Sequence, residues 1–329
     1  QKYAPVDPTE AGGFTPPAPP VGYLSNGEGN AMDVTELSAT ELVRAIQMGS
    51  VRPSDLMAAT LARIAAVNGA VNAIVSLRDA DELMAEARAL DGVAPVGPLH
   101  GLPLALKDLV AVKGIRTTYG SPLFADHVPL ADDLVAARLR AAGAILIGKT
   151  NTPEWGHGSH SFNPVFGVTR NPYDLTRTAG GSSGGAAAAL ATRMVALADG
   201  SDMMGSLRNP AAFCNVYGFR PSYGLVPGMA QGDTFLATMA TEGPMARSVQ
   251  DVALMLEVLS GPNPEVPFGR AGEPFTQMLD IDLRGKRINL GLPESASRDT
   301  ALAVLAAHGL EEKDFAEITS LNLQEALSA

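Results

Sequence analysis

The sequence predicts an α/β fold, and three observations support that fold class. The chain has 329 residues, of which 46% are hydrophobic, so it can bury a large core. Short apolar runs typical of buried strands alternate with segments whose apolar residues recur at helical spacing. Two glycine-containing turns, at 180–185 and 201–208, each abut a predicted helix. Alternation of this kind is typical of α/β proteins.

The individual elements follow from caps, breakers and periodicity. Residues 1–31 are rich in Pro, Gly and small polar residues, which predicts a flexible arm before a domain over 32–329. Ser38 and Glu41 have the spacing of a capping box, which predicts a helix that stops at Gly49. Further helices are predicted over 54–67, 79–90, 132–142, 186–191, 248–259 and 301–310, and strands over 72–77, 103–107, 144–147 and 194–198.

Composition excludes several classes of function. A formal net charge of −11 argues against nucleic acid or an anionic membrane surface as the main partner. No apolar run approaches the roughly 20 residues that span a bilayer. Cys214 is the single cysteine, so no internal disulfide forms, and its apolar neighbours indicate a packed side chain. A cytoplasmic location is expected, with export after removal of a leader as the alternative because the chain begins at Gln1.

Lys107 is the first candidate catalytic residue. It ends the apolar run at 101–107, where loss of water lowers the pKa of a lysine and favours the neutral amine. A neutral amine can act as a base. A surface lysine at a strand end is the alternative interpretation.

Two serines are candidates for acyl transfer with that lysine. Ser206 fits a nucleophile at a strand-to-helix turn whose backbone N–H groups can stabilise an oxyanion, and a helix N-cap is the alternative. Ser182 and Ser183, in the turn at 180–185, also fit a flexible turn or a phosphate-binding turn. The lysine of a Walker loop is absent from that turn.

Taken together, these segments resemble the amidase signature family, whose members are hydrolases with a Lys, cis-Ser, Ser triad. The resemblance covers about 34–290, and Ser182 and Ser206 have the family's spacing of 24 residues. It implies a single domain with a mixed central sheet flanked by helices. The blocks that carry the resemblance are 101–108, 148–151, 169–173, 180–185, 200–210 and 218–221.

The resemblance also implies the roles of the triad. Ser206 is the expected nucleophile, and Lys107 is the neutral base. Ser182, presented by a cis peptide bond after Gly181, is expected to bridge the two, while Ser183 holds the turn.

The same resemblance implies an oxyanion site and shows two departures from the family. Backbone N–H groups of Met203, Met204, Gly205 and Ser206 are expected to bind the oxyanion. Met204 stands where many members have a second glycine, so its side chain is expected to narrow the pocket or change the local backbone. The segment after Leu290 is shorter than in the family, which predicts either a shortened C-terminal part of the fold or a truncated chain.

Several other residues have structural and functional interpretations. His157 and His160 have no third ligand nearby, so we expect pocket-lining or hydrogen-bonded histidines and no metal. Asp202 and Arg208 are expected to brace the nucleophile turn as an ion pair. Lys149 is expected to be structural.

The aromatic residues of the central segment remain open between two interpretations. Trp155, Phe162 and Phe166 lie between motif blocks. They are expected either to line a pocket for the acyl or amine part of a substrate or to pack in the core.

The sequence therefore predicts hydrolysis of a carboxamide, anilide or related amide, with a small-molecule amide as substrate and no cofactor. The glutamine-hydrolysing component of an amidotransferase, its A subunit, is one alternative. A non-catalytic binding module that keeps the motifs is another. A homodimer is left open as the state of assembly.

Overall fold

The computed structural model describes residues 23–25, 31–228, 238–290 and 292–319. The predicted flexible arm at 1–31 lies outside these residues, except for 23–25 and residue 31. Contacts divide the chain into two compact units, with the division between Thr276 and Gln277. The boundaries of a single domain over 32–329 stay a prediction.

The described residues contain helices and strands in alternation. The α-helices are α1 (Ala39–Gln47), α2 (Pro53–Val71), α3 (Ala80–Ala89), α4 (Leu134–Ala141), α5 (Gly184–Ala191), α6 (Arg208–Phe213), α7 (Val249–Leu259) and α8 (Ala296–Ala307). The strands are β1 (Tyr23–Ser25), β2 (Ala31–Asp33), β3 (Ile74–Val75), β4 (Pro103–Lys107), β5 (Ile145–Thr150), β6 (Phe162–Asn163), β7 (Gly167–Val168), β8 (Arg170–Asn171), β9 (Asp174–Thr178), β10 (Leu197–Asp202), β11 (Tyr217–Gly218), β12 (Thr241–Ala246), β13 (Arg287–Asn289) and β14 (Glu317–Thr319). None of the helices in the described ranges has the length and apolar character needed to cross a membrane.

A six-stranded sheet forms the centre of the first unit, in the order β11-β12-β10-β4-β5-β3. β4 runs parallel to both β5 and β10. β12 runs antiparallel to β10 and β11, and β3 runs antiparallel to β5. The sheet is therefore mixed and flanked by helices, which confirms the predicted fold class.

Packing against the two faces of this sheet follows from the alternation of side chains along β4. Leu104 and Leu106 pack in one apolar cluster with residues of α1, α4 and α7. Ala105 points the other way, into a cluster with residues of α3 and α5. The small side chains of α5 let this buried helix contact β3, β4, β5, β10 and β12. Its N-terminus is thereby held near the end of β4.

Most predicted elements are present, and three strands differ from their prediction. The strand predicted over 144–147 extends to Thr150 as β5, because it pairs with β4 as far as Lys107. The capping box of α1 forms between Ser38 and Glu41. The strand predicted over 72–77 is reduced to β3, because Asn72 and Ser76 adopt left-handed backbone angles. The strand predicted over 194–198 lies later, as β10, since its pairing with β12 extends to Asp202.

The second unit is a small β-α-β arrangement. β13 and β14 pair in parallel, and α8 lies between them in sequence. Leu290, Leu305 and Phe315 form its apolar cluster. The helix predicted over 301–310 begins earlier, at Ala296, because Ser295 caps it by accepting a hydrogen bond from the backbone N–H of Arg298.

Close backbone contact at the start of α5 makes Gly185 a sensitive position. A Cβ atom there would lie 2.6 Å from Asn151 O and 2.8 Å from Ala73 O. We expect Gly185→Ala to lower the free energy of unfolding by about 1–3 kcal/mol, because rigid backbone must move. Gly69→Ala in α2 is the matched control, because its new Cβ would have nothing within 4 Å. This substitution should raise the free energy of unfolding by about 0.5–1 kcal/mol, since glycine destabilises a helix relative to alanine. Urea unfolding of both variants tests the difference, and equal effects would contradict the close contact.

Candidate active site

Lys107 lies at the end of β4, and its side chain is completely buried. Its Nζ atom is 2.7 Å from Ser182 Oγ and 2.9 Å from Ser183 Oγ. A third hydroxyl, Ser201 Oγ on β10, also lies at 2.9 Å. The structure thus brings the predicted lysine and two predicted serines together, and Lys107 is not a surface charge at a strand end.

The environment of Lys107 lowers the pKa of its amine. Burial lowers the pKa of Lys107 to about 8, and the carboxylates of Glu242, Asp199 and Asp202 oppose that shift. The backbone N–H of Lys107 donates to Asp199 Oδ1 at 2.8 Å, which fixes the end of the strand. An amine with a pKa in this range can accept a proton near neutral pH.

The turn before α5 is tied down on both sides. The peptide bond between Gly181 and Ser182 is cis, as the family resemblance implied. Ser161 Oγ donates to the Ser182 carbonyl at 3.1 Å and accepts from Gly184 N at 2.9 Å. Ser183 N donates to the carbonyl of Ser206 at 3.1 Å, so this turn and the nucleophile turn are in direct contact.

The nucleophile turn is organised by Asp202 at the end of β10. Its carboxylate accepts from the N–H of Gly205 at 2.7 Å and from the N–H of Leu207 at 3.2 Å. Gly205 has a φ of +110°, and a Cβ atom there would lie 2.7 Å from Asn209 Nδ2. The positive φ favours glycine in this turn, which places Ser206 two residues before α6.

Two arginines complete the support of Asp202. Arg208 Nε lies 2.9 Å from Asp202 Oδ2, and Arg220 Nε lies 3.5 Å from Oδ1. Burial alone raises the pKa of Asp202, but the hydrogen bonds from Arg208, Gly205 and Leu207 outweigh it and hold that pKa below its usual value. The ion pair therefore braces the turn, as the sequence predicted.

One of the expected oxyanion donors is already occupied. Because the Gly205 N–H donates to Asp202, it is not directed at a substrate, and its prediction as an oxyanion donor is corrected. The N–H groups of Met203, Met204 and Ser206 have no acceptor among the described residues. The Met204 side chain is 80% exposed, so it lies in solvent and does not fill the turn.

Ser206, the expected nucleophile, contacts the turn that carries Ser182 through its backbone. Its residue is half-buried, and its carbonyl accepts the hydrogen bond from Ser183. Within the described ranges, Ser206 Oγ makes no hydrogen bond with Ser182 Oγ. The structure therefore joins Lys107 to Ser182 directly. The expected hydrogen bond between Ser182 and Ser206 is not formed.

The remaining polar candidates have structural positions. His160 Nδ1 lies 3.1 Å from Thr178 Oγ1, and His157 is exposed. No three His, Cys, Asp or Glu side chains in the described part of the chain are placed to hold a metal. Lys149 is buried and donates from Nζ to the Val110 carbonyl. Burial lowers the pKa of Lys149 to about 8.

The three aromatic candidates have different surroundings in the structure. Trp155 stacks on Tyr119 with ring centroids 5.4 Å apart, and Phe124 packs edge-on against both rings. Phe162 is exposed, whereas Phe166 lies under the guanidinium of Arg116 at 5.0 Å. None of the three predicted aromatic residues is therefore a buried core side chain.

Cys214 is not placed for nucleophilic chemistry. It is buried, and burial raises the pKa of its thiol to about 12. A thiol with so high a pKa is inert near neutral pH. The prediction of a packed, apolar cysteine is thus in line with its position.

Sequence reasoning missed four polar residues that contact or surround Lys107 and the turn of Ser182. Ser201 contacts Lys107, and Ser161 holds the cis turn. Asp199 and Glu242 place carboxylates near the amine of Lys107. Asp199 and Ser201 are two residues apart on β10, so their side chains lie on the same face of the strand. The sequence contains this spacing, but the strand predicted over 194–198 ended before both residues.

Comparison with known proteins decides the family. The family profile described as Amidase matches residues 55–323. The chain belongs to the amidase signature family. An acylamidase from Rhodococcus erythropolis is 39% identical over 288 residues, which are 84% of this chain and 60% of that protein. The A subunit of a glutamyl-tRNA(Gln) amidotransferase from Thermus thermophilus is 43% identical over 226 residues, which are 69% of this chain and 47% of that protein.

Solved structures of the amidase signature family share this architecture. A bacterial aryl acylamidase has a TM-score of 0.76 and 32% identity, covering 87% of this chain and 61% of that one. A peptide amidase from Stenotrophomonas maltophilia has a TM-score of 0.74 and 32% identity, covering 88% and 63%. The chain thus spans less than two thirds of the length of these amidases.

Ser201 offers a direct test of the lysine site. Ser201→Ala removes one of the three hydroxyl oxygens that surround Lys107 Nζ, so we expect amide hydrolysis to slow about tenfold, the effect of one lost hydrogen bond. Ser201→Thr keeps the hydroxyl and should stay within about twofold of the parent rate. Steady-state kinetics on one amide measures both variants, and equal losses would show that the hydroxyl is not what matters.

Proposed function

We propose that this chain hydrolyses linear amide C–N bonds, such as those of carboxamides and anilides, through an acyl-enzyme on Ser206. The observation that carries the proposal is the buried contact of 2.7 Å between Lys107 Nζ and Ser182 Oγ. A proton relay to a serine nucleophile needs a base of lowered pKa joined to a hydroxyl in this way. Relatives named acylamidase and peptide amidase support an amide as the substrate.

In the proposed first step, Ser206 Oγ attacks the carbonyl carbon of the amide. Its proton passes through the Ser182 hydroxyl to the neutral amine of Lys107. The proton returns by the same route to the amine of the substrate as the C–N bond breaks. Water then attacks the acyl ester with Lys107 again as the base, which releases the acid and restores Ser206. Protonation of the leaving group matters because an amine leaves as a strongly basic group.

The proposed relay needs one local adjustment. Ser206 Oγ must come within hydrogen-bond distance of Ser182 Oγ when the substrate binds. The hydrogen bond from Ser183 N to the Ser206 carbonyl supports this, because it already holds the two turns together. Catalytic hydrogen bonds are often loose without substrate and tighten when it binds.

The oxyanion of the tetrahedral intermediate is proposed to bind the N–H groups of Met203, Met204 and Ser206. These donors lie at the end of β10 and before α6, in the turn that Asp202 fixes. Donors that are already oriented need no reorganisation as charge develops. Ser183 is proposed to support the site from the other side, where its hydroxyl is hydrogen-bonded to Lys107.

The glutamine-hydrolysing component of an amidotransferase is the second candidate. The observation that favours it is the 43% identity to the component of this kind from Thermus thermophilus. Glutamine as the preferred substrate, together with copurification of a partner protein, would favour this candidate over an amidase for small amides. A cytoplasmic location and a homodimer remain expectations from the sequence.

The nucleophile is tested by substitution. We expect Ser206→Ala to reduce amide hydrolysis to background, because loss of a nucleophile costs several orders of magnitude. Ser182→Ala should cost less, since water can replace part of a bridging hydroxyl. The measurement is the rate on a panel of amides and anilides, with circular dichroism to establish that each variant is folded.

Covalent labelling separates an enzyme from a binding module that has kept the motifs. A fluorophosphonate probe should label the parent protein at Ser206, as located by peptide mass spectrometry, and should not label Ser206→Ala. A folded parent protein that stays unlabelled would support the binding module. More than about a tenth of the parent rate in Ser206→Ala would remove Ser206 from its role.

The role of Lys107 predicts a pH dependence. Because the amine must be neutral to accept a proton, and burial lowers the pKa of Lys107 to about 8, the rate should rise with pH through an ionisation in that range. Lys107→Met keeps an apolar stem without a base, so the ionisation should vanish and amides should be affected more than esters. Profiles of both proteins on a matched amide and ester measure this, and an unchanged ionisation in Lys107→Met would contradict it.

A further inference from the structure

A second ionisable group lies beside the lysine site, on the neighbouring strand. In the antiparallel pair of β10 and β12, Glu242 stands directly opposite Ser201. Side chains of directly opposed residues lie on the same face of a sheet and interact. Ser201 Oγ is in turn 2.9 Å from Lys107 Nζ. Ser201 thus neighbours both Glu242 and the proposed base, Lys107.

Glu242 is half-buried, and one of its carboxylate oxygens lies in the interior. Its Oε2 atom is inaccessible to solvent and has no hydrogen-bond donor in the described part of the chain. The residue borders a cavity of about 170 Å³ that Val110 and Asp133 also line. A cavity of this size can hold water, which gives the carboxyl a route for proton exchange.

The charged groups that act on Glu242 belong to three elements of the fold. Asp199 lies on β10, Lys107 on β4, and Asp133 caps α4. Of the three carboxylates that act on Lys107, Glu242 has the largest effect, ahead of Asp199 and Asp202. No carboxylate oxygen in the described ranges lies within 4.0 Å of Lys107 Nζ, so the influence of Glu242 acts through space.

We propose that Glu242 is a positioning residue that sets the proton affinity of Lys107, so that the amine stays basic enough to take the proton of Ser206. The proposal rests on the proposed function. Burial weakens the base, and an ionised carboxylate on the adjacent strand restores part of its strength by stabilising the ammonium form.

The two groups also titrate together. Burial raises the pKa of Glu242 to about 8, the same range in which Lys107 ionises. When Glu242 loses its proton, it makes Lys107 harder to deprotonate, so the pair releases its two protons over a broadened range. The acidic limb of the activity profile is then a property of the pair, not of the lysine alone.

The test is the pH dependence of kcat/KM for an amide, compared between the parent protein and Glu242→Gln. Glutamine keeps the shape of the side chain and removes the charge. We expect the acidic limb to move to lower pH by about one pH unit and to narrow to a single ionisation, because the opposing carboxylate is gone. The plateau rate should fall, since a weaker base accepts the proton of Ser206 less readily.

Two further variants make the result specific. Glu265→Gln removes one exposed negative charge far from the triad in sequence. The acidic limb of its pH profile should coincide with that of the parent protein. Glu242→Asp keeps a carboxylate and should leave the limb nearer to the parent than Glu242→Gln does. Should Glu242→Gln fail to fold, Glu242→Met supplies the neutral replacement for the same measurement.

The outcomes distinguish this proposal from the proposed function. A limb that disappears in Lys107→Met but is identical in the parent and Glu242→Gln would overturn the role of Glu242 and leave the triad intact. A limb that persists in Lys107→Met would overturn the proposed function itself. A downward shift in Glu242→Gln that Glu242→Asp does not share supports the proposal.

Discussion

The site depends on one constraint: the amine of Lys107 is buried in contact with hydroxyl groups, and no carboxylate oxygen of the described residues lies within 4.0 Å of it. Three serine oxygens lie within 2.9 Å of its Nζ atom. Hydroxyls satisfy the hydrogen bonds of the amine without neutralising a positive charge, so the interior disfavours the ammonium form. Structural lysines are usually paired or exposed. Burial lowers the pKa of this one to about 8, so a neutral fraction that can receive a proton is present near neutral pH.

The architecture around the amine follows from that constraint. The alanine-rich helix α5 packs directly on the central strands, and its first turn delivers Ser182 and Ser183 to the end of β4. On the other side, Asp202 uses its carboxylate to shape the turn that carries Ser206. The two turns meet through a backbone hydrogen bond between Ser183 and Ser206. Rigid neighbours therefore position all three members of the proposed triad.

Local patterns in the sequence predicted what is local in the structure. β4 has its predicted bounds because five buried residues in succession precede a turn. β10 was predicted too early, since its polar and glycine-containing second half has low strand propensity, and pairing with β12 outweighs that propensity. The same pairing brings Glu242 opposite Ser201. No spacing along the chain encodes a contact between strands about 40 residues apart, which is why these two residues were missed.

The stacked pair of Tyr119 and Trp155 has an optical consequence. Trp155 is the single tryptophan of the chain, and half of its surface is exposed. Its neighbour Gly156 borders the site, because a Cβ atom there would lie 3.8 Å from Ser182 Oγ. The indole emission of the protein therefore comes from one residue, whose neighbour in the chain borders Ser182. A half-exposed indole responds to changes in its surroundings, so we expect intrinsic fluorescence to report, without a label, a ligand that reaches Trp155.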